Sequence, residues 1–222
     1  MTLTTPLPQN ATVETIAVQR LTIDIASPYA EVIEHFRSLV PAIKLSNLRE
    51  QTSADGIAQV IRETGTTTDF VLFAEFDHGR WIRYFAPRTV WASTATATTT
   101  AATAAQGAPA ADNPPVGPPS RPNASTNPTC YRRAHRFIFG NPLIAINMIR
   151  ESLEATLHVP LDCGFVEQEG GSTRMVVLLP DGLVAGHAGV SNNETLHRAT
   201  DDLQRKIFAL IEAITKKPFV TE

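Results

Sequence analysis

The sequence predicts an α+β fold: a curved, mostly antiparallel sheet with helices packed on one face, in the order β-α-(α)-β-insert-β-α-β-β-α. Three observations lead to this prediction. Segments rich in β-branched and aromatic residues alternate with segments that repeat apolar residues every three or four positions. Two strand segments, 156–168 and 173–180, are joined only by the turn Glu169-Gly170-Gly171. A long amphipathic segment near the C-terminus can cover one face of such a sheet.

The first half of the chain supplies two strands and two helices. Val13–Ala26 is rich in β-branched residues and predicts a strand, and Ser27-Pro28 predicts the N-cap and first residue of a helix. The segment 54–65 predicts a short helix that ends at Gly65, and the apolar segment Asp69–Phe76 predicts a central strand. The apolar stripe of the first helix consists of Val32, Ile33, Phe36 and Val40.

A long insertion follows. Between Ala92 and Thr129, 29 of 38 residues are Ala, Thr, Pro or Ser, and Val116 is the only large aliphatic residue. Such a segment buries too little apolar surface to offset its ordering entropy, which predicts a disordered insertion within one domain that spans residues 1–222. The alternative is a proline-rich arm that binds a partner, since "PPVGPPSRP" favours polyproline II.

The second half begins with the strand "YRRAHRFIF", in which Tyr131, Arg133, His135, Phe137 and Phe139 share one face. A helix from Pro142 to about Leu153 and the two strands around the Gly-Gly turn follow. The last helix, about Glu194 to Lys216, shows the clearest periodicity. Its apolar residues are Leu196, Ala199, Leu203, Ile207, Leu210 and Ile214.

The stretch "FIFGNPLIA" contains an abrupt corner between a strand and a helix. Gly140 can adopt the positive φ that ends a strand sharply, Asn141 suits an N-cap, and Pro142 suits the first helical position. These roles explain the corner as a purely structural feature. A functional alternative uses the same geometry, because the amides from Leu143 onward could bind a phosphate, a carboxylate or a developing oxyanion.

A second corner, "AEFDHGRW", follows the central strand. Glu75 and Asp77 alternate onto one face, and His78 lies beside a carboxylate that could orient its ring, so Glu75, Asp77 and His78 are candidate acid/base groups. The alternative is that Asp77 caps the next helix and His78 only makes structural hydrogen bonds.

Composition excludes several classes of function. A net charge of −3 and a pI of about 6.1 argue against nucleic acid as a partner. The lack of a signal-like leader or a long apolar run predicts a cytoplasmic protein with no membrane partner. Cys130 and Cys163 are expected to be free thiols. The histidines lack metal-ligand spacing and the chain has no nucleotide-binding signature, so we expect neither a metal nor a cofactor.

Taken together, the "DHG" corner, the "FGNPLIA" corner and "VPLDCGFVEQ" resemble the family known as domain of unknown function 302. The fungal-type members are most similar, since they continue "GNPLIA" with a methionine-bearing helix, as Met148 does here. The resemblance covers Val13 to Ile214 apart from the insertion. It implies a TATA-binding-protein-like sheet that grips a long helix, often in a homodimer, and no established activity. The insertion and Leu178, which occupies a position expected to be tyrosine, depart from the family pattern.

Three functions are compatible with these features. The first is a cofactor-independent enzyme, of isomerase, cyclase or lyase type, that acts on a small organic molecule. Its apolar pocket would be lined by Phe73, Phe137, Phe139 and Leu161, with both corners at one mouth and within about 10 Å of each other. In that pocket Gly140, Asn141, Pro142 and Leu143 would bind the ligand. The alternatives are a non-catalytic ligand-binding module and a dimeric interaction module.

Overall fold

The computed structural model describes residues 8–82 and 133–216. Its centre is a five-stranded sheet with the order β1-β5-β4-β3-β2, in which every neighbouring pair is antiparallel. The predicted α+β class with an antiparallel sheet is confirmed, but the segment Asp69–Phe76, predicted as a central strand, lies at one end of this strand order. The strands are β1 (Arg20–Ile25), β2 (Val71–Asp77), β3 (Ala134–Gly140), β4 (Leu161–Glu167) and β5 (Thr173–Leu178).

Seven α-helices accompany the sheet in the described ranges. They are α1 (Tyr29–Leu39), α2 (Leu45–Arg49), α3 (Ala54–Glu63), α4 (Gly79–Ile82), α5 (Pro142–Ile149), α6 (Pro180–Val184) and α7 (Glu194–Thr215). Two 3₁₀ segments, Leu153–Leu157 and Glu169–Gly171, complete the secondary structure. The second is the predicted Gly-Gly turn, and both of its glycines have positive φ.

The core lies between one face of the sheet, the inner face, and helices α1 and α7. Phe137, Phe139 and Phe165 on the inner face surround Phe36 of α1, with ring centroids 4.7, 5.8 and 5.2 Å away. The predicted stripe of α7 faces this cluster, since Leu203 is 3% exposed and Ile207 is fully buried. Cys163 also lies here, and burial raises the pKa of its thiol well above its usual value, as expected for a structural cysteine.

Several predicted boundaries differ from the structure; the helix predicted from Pro142 to about Leu153, for example, ends at Ile149. β1 begins at Arg20 rather than Val13, because its partner β5 ends at Leu178, the residue opposite Arg20. β4 begins at Leu161, opposite Phe139, and the preceding Pro160 has no N–H to donate to a ladder. The N-cap of α1 is Pro28, and it makes no side-chain capping bond, so Ser27 does not have the predicted role.

A β-bulge changes the phase of β2. Leu72 pairs with Phe139, but Ala74 pairs with Ile138, which leaves Phe73 as an extra residue. A bulge of this kind moves every later side chain to the opposite face relative to a regular strand. Glu75 and Asp77 therefore join Leu72 on the inner face, opposite Phe137 and His135.

The predicted insertion, Ala92–Thr129, and Cys130 lie outside the described residues. Within the described ranges, no helix combines the length and the apolar character needed to cross a bilayer.

Candidate functional site

The GNP corner is a helix N-terminus with a side-chain cap, as predicted. Asn141 is the N-cap of α5, its Oδ1 accepts from the amide of Leu143 at 2.9 Å, and Pro142 begins the helix. Asn141 also donates from Nδ2 to the carbonyl of Asp69 at 2.8 Å, which ties the corner to the start of β2. Glycine is needed at position 140 for a different reason from the predicted one, because the φ of Gly140 is not positive. A Cβ there would lie 3.1 Å from Cβ of Pro160 and 3.4 Å from the ring of Phe73, so glycine permits close packing.

The first amides of α5 already have partners within the chain. The amide of Leu143 donates to the Asn141 side chain, and the amides of Ile144 and Ala145 donate to the Asn141 carbonyl at 3.0 and 2.9 Å. An anion at this terminus would have to displace the cap. The structure shows the cap that the structural explanation requires, and anion binding at these amides stays a prediction.

An apolar groove nevertheless opens beside the same corner. This GNP groove has a volume of about 380 Å³ and lies between α3, the bulge of β2, α5 and the segment before β4. Phe73, the bulged residue, forms one wall, as predicted. The predicted wall residues Phe137, Phe139 and Leu161 instead lie in the core. The described residues that line the groove are Ala54, Ile57, Phe73, Asn141, Pro142, Leu143, Ala145, Ile146, Ile149, Val159 and Pro160.

At the opposite end of β2, titratable side chains form a polar cluster, defined here as Tyr29, Arg37, Glu75, Asp77 and His135. The Tyr29 hydroxyl lies 2.6 Å from His135 Nδ1, and His135 Nε2 lies 3.2 Å from Glu75 Oε1 and 3.9 Å from Asp77 Oδ1. Arg37 forms a bidentate pair with Glu75. A chain of polar contacts therefore runs from α1 through β3 to β2.

Burial dominates the electrostatics of the cluster. It lowers the pKa of His135, and the nearby Asp77 and Glu75 carboxylates oppose this shift only in part. Burial, with the charge of Asp77 second, raises the pKa of Tyr29 far above its usual value. At neutral pH the structure therefore favours a neutral phenol beside a neutral imidazole. Such a pair can share a hydrogen bond between the Tyr29 hydroxyl and His135 Nδ1.

A second ion pair lies next to the polar cluster. Arg133 binds Glu167 through two charge-assisted hydrogen bonds of 3.0 and 2.8 Å, and these bonds lower the pKa of Glu167. The Arg133 guanidinium also lies 4.7 Å from the centre of the Tyr29 ring. These contacts attach α1 to β3 and β4 at the strand ends, which gives the cluster a clear structural role.

His78, the predicted acid/base histidine, packs against a residue on the outer face of the sheet. Its ring stacks on that of Phe76, with centroids 6.3 Å apart, and Phe76 pairs with Arg136 on the outer face of the sheet. Glu75 and Asp77 point to the inner face, where His135 approaches both carboxylates. The predicted carboxylate pair is therefore brought together with His135, which was not among the predicted site residues.

The two corners do not share a site. β2 and β3 are antiparallel, so Asp77 lies opposite His135 at one end of the pair, and Val71 lies opposite Gly140 at the other. His135 and Gly140 are five positions apart on one strand, a span of roughly 16 Å at about 3.3 Å per residue. The prediction of one pocket mouth with both corners within about 10 Å is wrong.

Comparisons with known proteins do not give a function. Residues 125–214 match the family described as "Domain of unknown function DUF302". This match includes the GNP corner and excludes β1, α1 and β2. A crystal structure of an uncharacterized conserved protein DUF302 from Bacillus stearothermophilus superposes with a TM-score of 0.47 at 13% identity, over 88% of this chain and 97% of that one. No curated protein matches.

Proposed function

We propose that this protein binds an apolar small molecule in the GNP groove without chemically transforming it. The proposal rests on the size of the GNP groove and on the apolar character of its lining. A volume of about 380 Å³ falls within the range of roughly 300–1,000 Å³ that is common for small-molecule sites. Among the described lining residues, none has a titratable side chain.

The character of α5 supports the proposal. Met148 is fully buried in the core, whereas Leu143 and Ile146 on the groove side are 38% and 49% exposed. A helix that is apolar on its exposed side as well as its buried side leaves apolar surface in water, which a bound ligand would cover. Asn141 is the polar exception in the lining, and its side chain is engaged by Leu143 and Asp69.

The enzymatic alternative is less well supported, because its acid/base groups are not close to the apolar groove. It required acid/base groups at the mouth of the apolar pocket, whereas Glu75 and Asp77 lie at the far end of β2 beside His135. A hydrogen-bonding or proton-transfer role for these groups would need a different substrate site. We therefore prefer a binding module to an isomerase, cyclase or lyase.

The test uses the neutral fluorescent probe N-phenyl-1-naphthylamine and two matched substitutions. Ala54 and Ala30 are both exposed alanines in the first turn of a helix, but only Ala54 lines the groove. We expect saturable probe binding to the wild type and to Ala30→Trp. Ala54→Trp should bind at least about tenfold more weakly, a change of about 1.4 kcal/mol, because the indole occupies the groove.

Equal affinity of the two tryptophan variants, or an absence of saturable binding to the wild type, would contradict the proposal. Urea denaturation of each variant shows whether a change in affinity reflects a loss of folding.

Native mass spectrometry of the freshly purified chain would then identify a natural ligand. It would also test the predicted homodimer. Fungal-type membership and a cytoplasmic location remain predictions as well.

A further inference from the structure

A second cavity lies away from the GNP groove and has a different chemical character. Its volume is about 410 Å³, and it is bounded by the segment before β1, the 3₁₀ segment Leu153–Leu157 and the region of α6. Its lining combines an apolar wall with two carboxylates and two imidazoles. The residues used below are Glu14, Ile16, Glu154, His158, Leu183 and His187.

The wall formed by the N-terminal segment is held in a defined position. The carbonyl of Ala17 packs directly against Gly182, where a Cβ would also lie 3.2 Å from Cα of Val18. The amide of Leu179 donates to the Gln19 carbonyl at 2.9 Å, and the amide of Ala188 donates to Glu14 Oε1 at 2.6 Å. Glycine at position 182 therefore permits a backbone contact that brings Glu14 and Ile16 to the cavity.

The polar end of this cavity contains an unsatisfied group. Among the described residues, His187 Nε2 is buried without a hydrogen-bond partner, and Glu154 Oε2 lies 3.6 Å away. Burial is the main cause that lowers the pKa of the neighbouring His158, so His158 favours its neutral form. Neither lysine nor arginine is found among the described lining residues.

The two carboxylates, with neither lysine nor arginine in the described lining, favour a ligand that carries a positive charge. A carboxylate ligand would meet Glu14 and Glu154, which would repel it. A metal ion is disfavoured, because no group of three or more His, Cys, Asp or Glu side chains in the described ranges is arranged to hold one. An ammonium group has three donors, so it can contact a carboxylate and the unprotonated Nε2 of a neutral His187 at the same time.

We propose that this cavity binds a small amine whose ammonium group contacts Glu154 and His187 and whose apolar body packs on Ile16 and Leu183. The ligand class follows from the charge of the cavity and from the unsatisfied imidazole nitrogen. The site is independent of the GNP groove and of the function proposed for it.

Isothermal titration calorimetry of the full chain tests the proposal by measuring the dissociation constant of phenethylamine. The anionic comparator of similar size is 3-phenylpropanoate. We expect saturable binding of the amine and at least tenfold weaker binding of the carboxylate. Glu154→Gln should weaken amine binding by about two- to fivefold, the scale of a solvent-exposed ion pair. The Glu154 side chain is 81% exposed, so this change should leave folding intact. The control Glu169→Gln changes an exposed carboxylate that does not line the cavity and should bind like the wild type.

Ala54→Trp should also bind phenethylamine like the wild type, which separates this site from the GNP groove. The proposal is overturned if phenethylamine does not bind saturably, if 3-phenylpropanoate binds as tightly, or if Glu154→Gln and Glu169→Gln bind alike.

Discussion

Asn141→Ala measures how strongly the GNP corner is held together. The Asn141 side chain makes two separate bonds, the cap on the Leu143 amide and the tie to the Asp69 carbonyl. Loss of an N-cap costs about 1 kcal/mol, and loss of one side-chain hydrogen bond costs about another 1 kcal/mol. Asp69 is exposed, so water can partly replace the second bond. We expect the free energy of unfolding to fall by roughly 1.5–2 kcal/mol.

Asn141→Ser separates the two contributions, because serine keeps a capping oxygen but cannot reach Asp69 with an amide donor. This variant should lose about half as much stability as Asn141→Ala. Urea denaturation with linear extrapolation measures both values. A loss below about 0.5 kcal/mol in Asn141→Ala would refute the account of the corner. If Asn141→Ser were as stable as the wild type, the tie to β2 would contribute nothing.

Three further predictions concern the core, the polar cluster and the insertion. Leu203→Ala and Ile207→Ala should each lower the free energy of unfolding by about 2–5 kcal/mol in urea denaturation, because both side chains are buried; losses below about 1 kcal/mol would contradict this. Burial holds the pKa of His135 below its unfolded value, so the unfolded chain binds more protons and stability falls as pH drops below about 6.5. His135→Gln should lose less stability than the wild type between pH 7 and 5, and an equal loss would count against that shift. Replacing residues 92–129 with a short Gly/Ser loop should preserve cooperative thermal melting, and non-cooperative melting would show that the insertion packs.

Patterns within single elements predicted much of the fold. The repeat of apolar residues in α7 identified its buried face, and the sequence Gly-Asn-Pro identified the cap and first residue of α5. These features depend on residues close together in the chain, so local propensity and periodicity are sufficient to predict them.

The arrangement of the two corners depends on strand pairing, which local patterns do not specify. The antiparallel register of β2 and β3 sends the two corners to opposite ends, although each corner was recognised separately. The bulge at Phe73 is likewise determined by pairing with β3, and it directs Phe73 into the GNP groove. Glycine is needed at position 140 because the chain packs closely against Pro160, which lies 20 positions later in the sequence.

The polar cluster shows the same limit. Glu75 and Asp77 were identified as a pair from their alternation, but Tyr29 and Arg37 come from α1 and could be placed only by the packing of that helix. One local signal was available for His135. It shares a strand face with Phe137 and Phe139, and a polar residue at such a position usually needs a partner.

The location of a bound apolar probe tests the central claim most directly. Amide chemical shifts of the ¹⁵N-labelled chain can be followed during titration with N-phenyl-1-naphthylamine. We predict that the largest changes occur around the GNP groove, at Ala54, Ile57, Phe73 and Ile146. Changes centred instead on Tyr29, Asp77 and His135, or no changes at saturating probe, would contradict the assignment of ligand binding to the GNP groove.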